Sequence, residues 1–390
     1  MGSAPSGSRL FGETHLPRLA PREDAGVCPL RGSPERRLDD MTAPRDTAPV
    51  RPEERFDEQK LAAYLREHVA EFAGKEPIEF EQFPGGHANL TYLARVGGRE
   101  YVLRRPPLGP VAPRSHDMVR EFTVLAAVST VLPQAPATFH LCTDETVLGR
   151  PFFIMERRRG FVIRTRWPAG LPDSPELRKR ISERFVDTLV ALHRVDYAAI
   201  SLGGLGRPDG FAERQVRGWA GRWEAAKTRE VRAMDRLAAW LAGGVPVPQA
   251  ASLLHNDYKL DNAMVDEDGE VVAVFDWDMA TLGDPLMDLG TTLAYWSQPA
   301  DLPYRIFMDN PMLHGGFLTR ASVVERYAAG TGFDLSGLRW YEVFAFFKVA
   351  VIVEQIYARY VAGQTSDERF ADFGERVERL AGAALALAGG

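Results

Sequence analysis

Asp257 and Asn262 stand five residues apart in His255-Asn256-Asp257-Tyr258-Lys259-Leu260-Asp261-Asn262, and Asp276 comes fourteen residues after Asn262, closing the apolar run Val271-Val272-Ala273-Val274-Phe275. Between them Asp266-Glu267-Asp268-Gly269 reads as a turn, so the pattern is a loop, a hairpin and an acidic residue leaving its second strand. Phosphoryl transfer needs these residue types. One carboxylate orients an attacking hydroxyl and accepts its proton, while a carboxylate and an amide oxygen hold Mg²⁺, a hard cation that prefers oxygen. On this reading Asp257 is the catalytic base and Asn262 and Asp276 are metal ligands; Asp278 is a second acidic ligand or a solvent-facing carboxylate. Turns collect Asp, Asn and Gly for conformational reasons as well, and it is Asp276 after a hairpin that sets this stretch apart. His255 reads as a prop for the loop.

The elements that must position these groups follow from periodicity. Leu61, Leu65, Val69 and Phe72 fall on one helical face. Alternation over Ile78–Phe83, a strand-like Leu90–Val96, the turn Gly97-Gly98 and a third strand from Tyr101 to Arg104 predict a small meander. A helix is expected around Val119–Val131 and a short buried strand over Pro151–Glu156. Beyond it the chain reads as mainly helical. Ser174 is a good N-cap with Pro175 behind it, and further helices fit Val231–Leu241, Leu286–Trp296, Val323–Ala329, Tyr341–Ala362 and Asp367–Leu387. The fold class is α+β with two lobes: a disordered Pro, Gly, Ser and Arg-rich tail over 1–52, in which Met41 is a candidate true start, a sheet-rich lobe over 53–156 and a helical lobe over 157–390. A cleft between lobes is a natural ligand site.

Composition narrows the partners. The 390 residues carry 47 Lys and Arg against 53 Asp and Glu, a net charge of −6 with no basic block, which argues against nucleic acid. Two cysteines, Cys28 and Cys142, cannot build a disulfide framework or a four-cysteine zinc site and suit a reducing, cytoplasmic setting. Phe344–Ile356, interrupted by Lys348 and Glu354, is too short to span a bilayer, so no membrane partner is expected. Met1-Gly2 with Ser6 fits a myristoylation pattern of low specificity.

The composite of His-x-Asp-x-x-x-x-Asn, Asp276-Trp277-Asp278, Gly283-Asp284-Pro285 and Asp288-Leu289 resembles the aminoglycoside phosphotransferase-like kinases, in the branch related to the kinase-like domain fused to some acyl-CoA dehydrogenases. The resemblance runs from about Phe80 to Tyr360. It implies a bilobal protein-kinase-like fold and an ATP- and Mg²⁺-dependent kinase of small molecules. It maps Asp257 onto the catalytic Asp and Asn262 and Asp276 onto the metal ligands. Gly85, Gly86, His87, Ala88 and Asn89 map onto the loop covering the phosphates, and Met155, Glu156 and Arg157 onto the hinge that meets adenine. Arg104 stands where many kinases carry Lys, and Glu121 matches the helix Glu that pairs with it. Arg104 is a departure, because a planar fork does not simply replace a compact ammonium, yet it can hold a phosphate or Glu121 at two points.

Only six residues separate Asp276 from Gly283, which leaves no room for the long activation segment of a protein kinase. The acceptor is therefore expected to be a small molecule. Arg157, Arg158, Arg159, Arg164 and Arg166 follow the hinge and, if they face the cleft, favour an anionic acceptor such as a hydroxyacyl-CoA over a polycationic aminoglycoside. The aromatic residues Tyr295, Trp296, Phe307, Trp340 and Tyr357 are candidates for pocket lining or core. An aminoglycoside-type antibiotic kinase and a non-catalytic nucleotide-binding regulator remain the competing readings.

Overall fold

Alternation along the third predicted strand and its neighbours decides the architecture, because successive side chains leave a strand on opposite faces. In the computed structural model, which describes residues 46–84, 89–107, 109, 116–298 and 310–389, α1 (Glu58–His68) precedes β1 (Ile78–Gln82), β2 (Leu90–Val96) and β3 (Arg99–Arg105). Then come α2 (Met118–Val128), β4 (Thr138–Cys142), the single turn α3 (Glu145–Leu148) and β5 (Phe152–Glu156). The five strands form one antiparallel sheet in the order β1-β2-β3-β5-β4. Gly97 and Gly98 close the β2–β3 hairpin, both at positive φ (53° and 75°), as a two-residue turn matched to strand twist requires.

One face of this sheet carries Leu103, Phe152 and Ile154 against Leu61, Leu65 and Phe72. The other carries Val102, Phe153 and Met155 against Val124, Leu125 and Val128 of α2, continuous with the core of the helical part. Val69 and Phe72 share the face read from sequence although α1 ends at His68, since a short 3-10 turn, Ala70–Phe72, returns Phe72 to it. Residues 46–52, assigned to the tail on composition, are ordered. Ala48 exchanges both backbone hydrogen bonds with Gln82 (2.8 and 2.7 Å), covering the exposed edge of β1.

The remaining elements are α4 (Pro175–His193), α5 (Phe211–Ala226), α6 (Arg232–Gly243), the short strands β6 (Ser252–Leu254), β7 (Ala263–Val265), β8 (Val271–Val274) and β9 (Thr281–Gly283), then α7 (Leu286–Tyr295), α8 (Arg320–Thr331), α9 (Leu338–Val361) and α10 (Phe373–Leu387). Ser174 caps α4 as read, accepting from Leu177 N at 3.1 Å with Pro175 in the first turn. The helix α9 is buried on most of its circumference and packs against α5, α6, α7 and α10. It meets α7 tightly at Gly290, where a Cβ would stand 2.6 Å from the Tyr341 carbonyl oxygen. No helix among the described residues is long and apolar enough to cross a membrane.

Candidate active site

The β7–β8 hairpin brings two of the expected groups together. Its turn is fixed by Asp266, whose Oδ1 accepts from the N–H groups of Asp268 and Glu270 at 3.1 and 2.9 Å. With Ala263 opposite Val274, Asn262 enters the hairpin where Phe275 leaves it, and Phe275 N donates to Asn262 O at 2.8 Å. Asp276 follows immediately, with its backbone in the left-handed region at φ 69°. Asn256 (φ 65°) and His116 (φ 59°) share that conformation, so three of the four such non-glycine residues among those described fall at this site, where strain of this kind tends to collect.

Asp257 is held from two sides. Asn262 Nδ2 donates to the Asp257 carbonyl and to its Oδ2, both at 2.9 Å. Lys259 Nζ reaches Oδ1 at 3.1 Å and Oδ2 at 2.8 Å and lies over the Tyr295 ring, 5.0 Å from its centroid. Burial opposes the Lys259 charge, but the Asp257 carboxylate outweighs it and holds the ammonium above its ordinary range. Burial also pushes the Tyr295 phenol up to about 12. Lys259 was not singled out in the sequence. A cation two residues after the acid is the signal that could find it.

His255 props the loop as expected. Its Nδ1 accepts from Asp257 N at 3.3 Å, so the ring proton sits on Nε2 and is donated to Phe275 O at 2.8 Å. The buried Asp288 of α7 accepts from the N–H groups of His255 and Asn256, both at 2.7 Å. His193 Nε2 lies 3.2 Å from the same carboxylate, and its Nδ1 lies 2.7 Å from Tyr327 Oη. His193 and Asp288 are thus structural supports one layer behind Asp257.

The second cluster joins the sheet to this loop. Arg104 donates through Nε to Glu121 Oε2 at 3.0 Å and through Nη2 to Asp276 Oδ1. Asp278 is close enough to raise the titration of Glu121 and to support the Arg104 charge. Burial pushes Glu121 up to about 7 against the pull of Arg104. Burial, then the Asp276 charge, pushes Asp278 up to about 6. Three carboxylates therefore lie around the Arg104 guanidinium, with Arg120 near enough to feel Asp278.

A divalent cation fits the donors present. Asn262 spends its amide N–H groups on Asp257, which turns Oδ1 into the acceptor left over. Asp276 uses only Oδ1 for Arg104. Among the described residues no cluster of three His, Cys, Asp or Glu side chains is arranged to hold a metal unaided. Two carboxylates and one amide suit Mg²⁺, which is commonly completed by phosphate oxygens and water.

The other expected residues divide. Gly85, Gly86, His87 and Ala88 lie outside the described residues. Asn89 is buried, with Oδ1 2.8 Å from His116 Nδ1 and, among the described residues, no partner for Nδ2. Met155 and Glu156 end β5 opposite Val102 and Tyr101. The Glu156 N–H is already given to Ala137 O at 2.8 Å, so a base at the hinge must use other groups. Arg157 turns away to Asp46 and stacks over Phe83 at 4.8 Å. Arg158 pairs with Glu156 at 2.8 Å, and Arg159 with Glu100 at 2.6 Å. Those three arginines are compensated.

Arg164 differs from them. The exchange of hydrogen bonds between Phe161 and Val265 (2.7 and 2.9 Å) lays the segment after the hinge along β7. There Arg164 lines a small open pocket of about 50 Å³ beside Lys259, with Asp261, Tyr295 and Trp296. Trp340 instead stacks on Phe344 in the core, and Tyr357 lies under Arg229. Phe307 is outside the described residues.

Comparison with known proteins agrees with this frame. The profile described as "Phosphotransferase enzyme family" matches residues 79–341. Mouse "Acyl-CoA dehydrogenase family member 10" is 32% identical over 339 residues, covering 86% of this chain and 31% of that protein; the chain thus spans about a third of that curated relative. A solved structure from Ralstonia eutropha, provisionally described as an aminoglycoside phosphotransferase, is 32% identical with a TM-score of 0.72, covering 86% of this chain and 98% of the other. A choline kinase from Cryptosporidium parvum Iowa II, 12% identical, shares the fold at a TM-score of 0.59 over 85% of this chain and 95% of its own. The α+β, protein-kinase-like architecture read from the sequence is the one observed.

Proposed function

The chain belongs to the phosphotransferase enzyme family, and from that premise we propose that it transfers a phosphoryl group from Mg²⁺-ATP to a hydroxyl of a small molecule. The observation that carries this reading is the convergence of Asp257, Asn262 and Asp276. Asn262 bonds the Asp257 carboxylate directly, and the hairpin sets Asp276 beside Asn262. Asp257 orients the acceptor hydroxyl and receives its proton on a carboxylate oxygen. Lys259 fixes that carboxylate at both oxygens and brings a cation to its side. Arg104 braces Asp276 and Glu121 and offers a planar fork toward a phosphate. Asn262 and Asp276, with Asp278 as a further ligand, would hold Mg²⁺, which neutralises charge developing between the β- and γ-phosphates.

Arg164 lines the pocket beside Lys259 and Asp261, and although its charge also favours the ionised Asp261 carboxylate, it supports an acceptor carrying carboxylate or phosphate. A hydroxyacyl-CoA is the sharpest version, in keeping with the named relative. Asp261 in the same pocket favours the second reading, a polycationic aminoglycoside. A cytoplasmic location and a lack of nucleic-acid or membrane partners complete the reading on compositional grounds. The test incubates the purified protein with Mg²⁺-ATP and either hydroxyacyl-CoAs or aminoglycosides, with mass-spectrometric detection of product. Phosphorylated acyl-CoA supports the proposal. Phosphorylation of aminoglycosides alone overturns the acceptor class, and nucleotide binding without any transfer to either overturns the kinase reading in favour of a regulatory nucleotide-binding module.

A further inference from the structure

Lys348 lies in the middle of α9, in an apolar stretch between Val343 and Val353. It is only 7% exposed, and among the described residues no carboxylate comes within ion-pair distance of it. A buried ammonium is costly unless paired and hydrogen-bonded, and a Leu or Met would fill the same helical position without that cost. Its partner is the carbonyl of Asn256, which accepts from Nζ at 2.7 Å. The Trp219 ring of α5 lies 5.7 Å from the ammonium. Burial, helped by Lys259 and Arg222, holds the ammonium below its ordinary range against the pull of Asp257 and Asp288.

The peptide plane that this contact grips is the one joining Asn256 to Asp257. Its carbonyl end is held by Lys348 and its N–H end by His255 Nδ1 at 3.3 Å. Asn256 itself is in the left-handed region, anchored by its N–H to Asp288 at 2.7 Å and by Nδ2 to Met279 O at 2.9 Å. A plane fixed at both ends, beside a residue whose conformation is disfavoured, sets the direction in which the Asp257 side chain leaves the backbone. We propose that Lys348 is a positioning residue for phosphoryl transfer: by holding the Asn256 carbonyl from α9 it keeps the 256–257 peptide, and with it the Asp257 carboxylate, in the reactive orientation. This rests on Asp257 being the base.

The test compares the full chain with Lys348→Met and Lys348→Arg by hydrogen exchange over residues 255–262 and by steady-state ADP formation from Mg²⁺-ATP, with a hydroxyacyl-CoA as acceptor or with water alone. The Met variant should exchange at least about tenfold faster over 255–262, with 271–274 unchanged. Its kcat should fall by about 10- to 100-fold, the scale of a small misplacement of a reacting group, with the nucleotide KM within about twofold. Arg, which keeps a charged donor, should recover most of both. Unchanged exchange in the Met variant overturns the proposal, as does an Arg variant no better than Met or a rise in nucleotide KM with kcat intact. Should the Met variant fail to fold, Lys348→Gln is judged on the same readouts. A wild-type chain that transfers nothing would count against the kinase reading, whereas the exchange measurement would still decide whether Lys348 holds the peptide.

Discussion

Arg104 serves two carboxylates through two different nitrogens, Nε to Glu121 and Nη2 to Asp276, a division that depends on a rigid fork. Lys could keep the charge but not both directions. Arg104→Lys should therefore leave the fold intact and raise the nucleotide KM by about tenfold, about 1.4 kcal/mol, checked by steady-state kinetics; an unchanged KM would remove Arg104 from the site. Arg104→Met leaves Glu121 buried without its partner and should cost about 3–5 kcal/mol in chemical denaturation. Glu121 also sets a pH signature. Its carboxyl moves from an ordinary 4.5 up to about 7 on burial, so the folded chain keeps a proton that the unfolded chain releases. Stability from this group is present below about pH 4.5 and lost as pH rises through about 7, at most about 3 kcal/mol. Melting midpoints should decline across that window, and Glu121→Gln should flatten the decline; an equal slope in both proteins contradicts the assignment. For Asp257→Ala, loss of a positioned base should lower kcat by about 10²- to 10⁴-fold while titration calorimetry finds nucleotide affinity within a few-fold of wild type.

At the scale of elements, the supports behind the catalytic loop are inter-helical distances. Asp288, which accepts from both His255 and Asn256, is carried by α7, and Gly290 two residues on is pressed against the Tyr341 carbonyl of α9. Gly290→Ala would push the two helices apart at that point, with an expected loss of about 1–3 kcal/mol by thermal or chemical unfolding and a drop in kcat through displacement of Asp288; unaltered stability would mean the contact yields freely. This layer also marks the limit of what the sequence exposes. The strands and helices with a clean apolar period, such as β2, β5, α4 and α7, are legible, as is the hairpin that delivers Asp276 next to the Asn262–Phe275 contact. The strand β4 is not, because at the sheet edge only Cys142 among its five residues is buried and the alternation is faint. The helix α5 escapes because it begins at a left-handed Gly210 with no side-chain cap and contains Gly218 and Gly221. Likewise the pairing of Arg157, Arg158 and Arg159 with Asp46, Glu156 and Glu100 depends on contacts up to 111 residues apart in sequence, so a run of arginines reads as an open basic surface when most of it is neutralised.

At the scale of the molecule, the sheet belongs to two cores, and polar bridges fasten it to the catalytic loop. Arg104 reaches Asp276, and Arg120 of α2 donates to Ala280 O at 2.7 Å and Leu205 O at 3.2 Å. Two of these bridges end on residues 276–280, where Asp276 and Asp278 lie close to each other and to Glu121. A ligand that supplies positive charge there relieves a repulsion that both halves of the fold share, so its binding energy should appear as stability of the whole unit. With Mg²⁺-ATP at about 100 times its dissociation constant, stabilisation should reach about 2.7 kcal/mol, read as a rise in melting temperature. Chelation of the metal should abolish most of the rise, because a triphosphate alone adds anions to an anionic cluster. Asp276→Asn should blunt the rise and at the same time raise the ligand-free melting temperature, since it removes one of the three competing carboxylates while an amide oxygen can still accept from Arg104. If ATP without a divalent cation stabilised the protein as well as the pair does, the cluster would be a purely structural ion network and the metal assignment would fall with it.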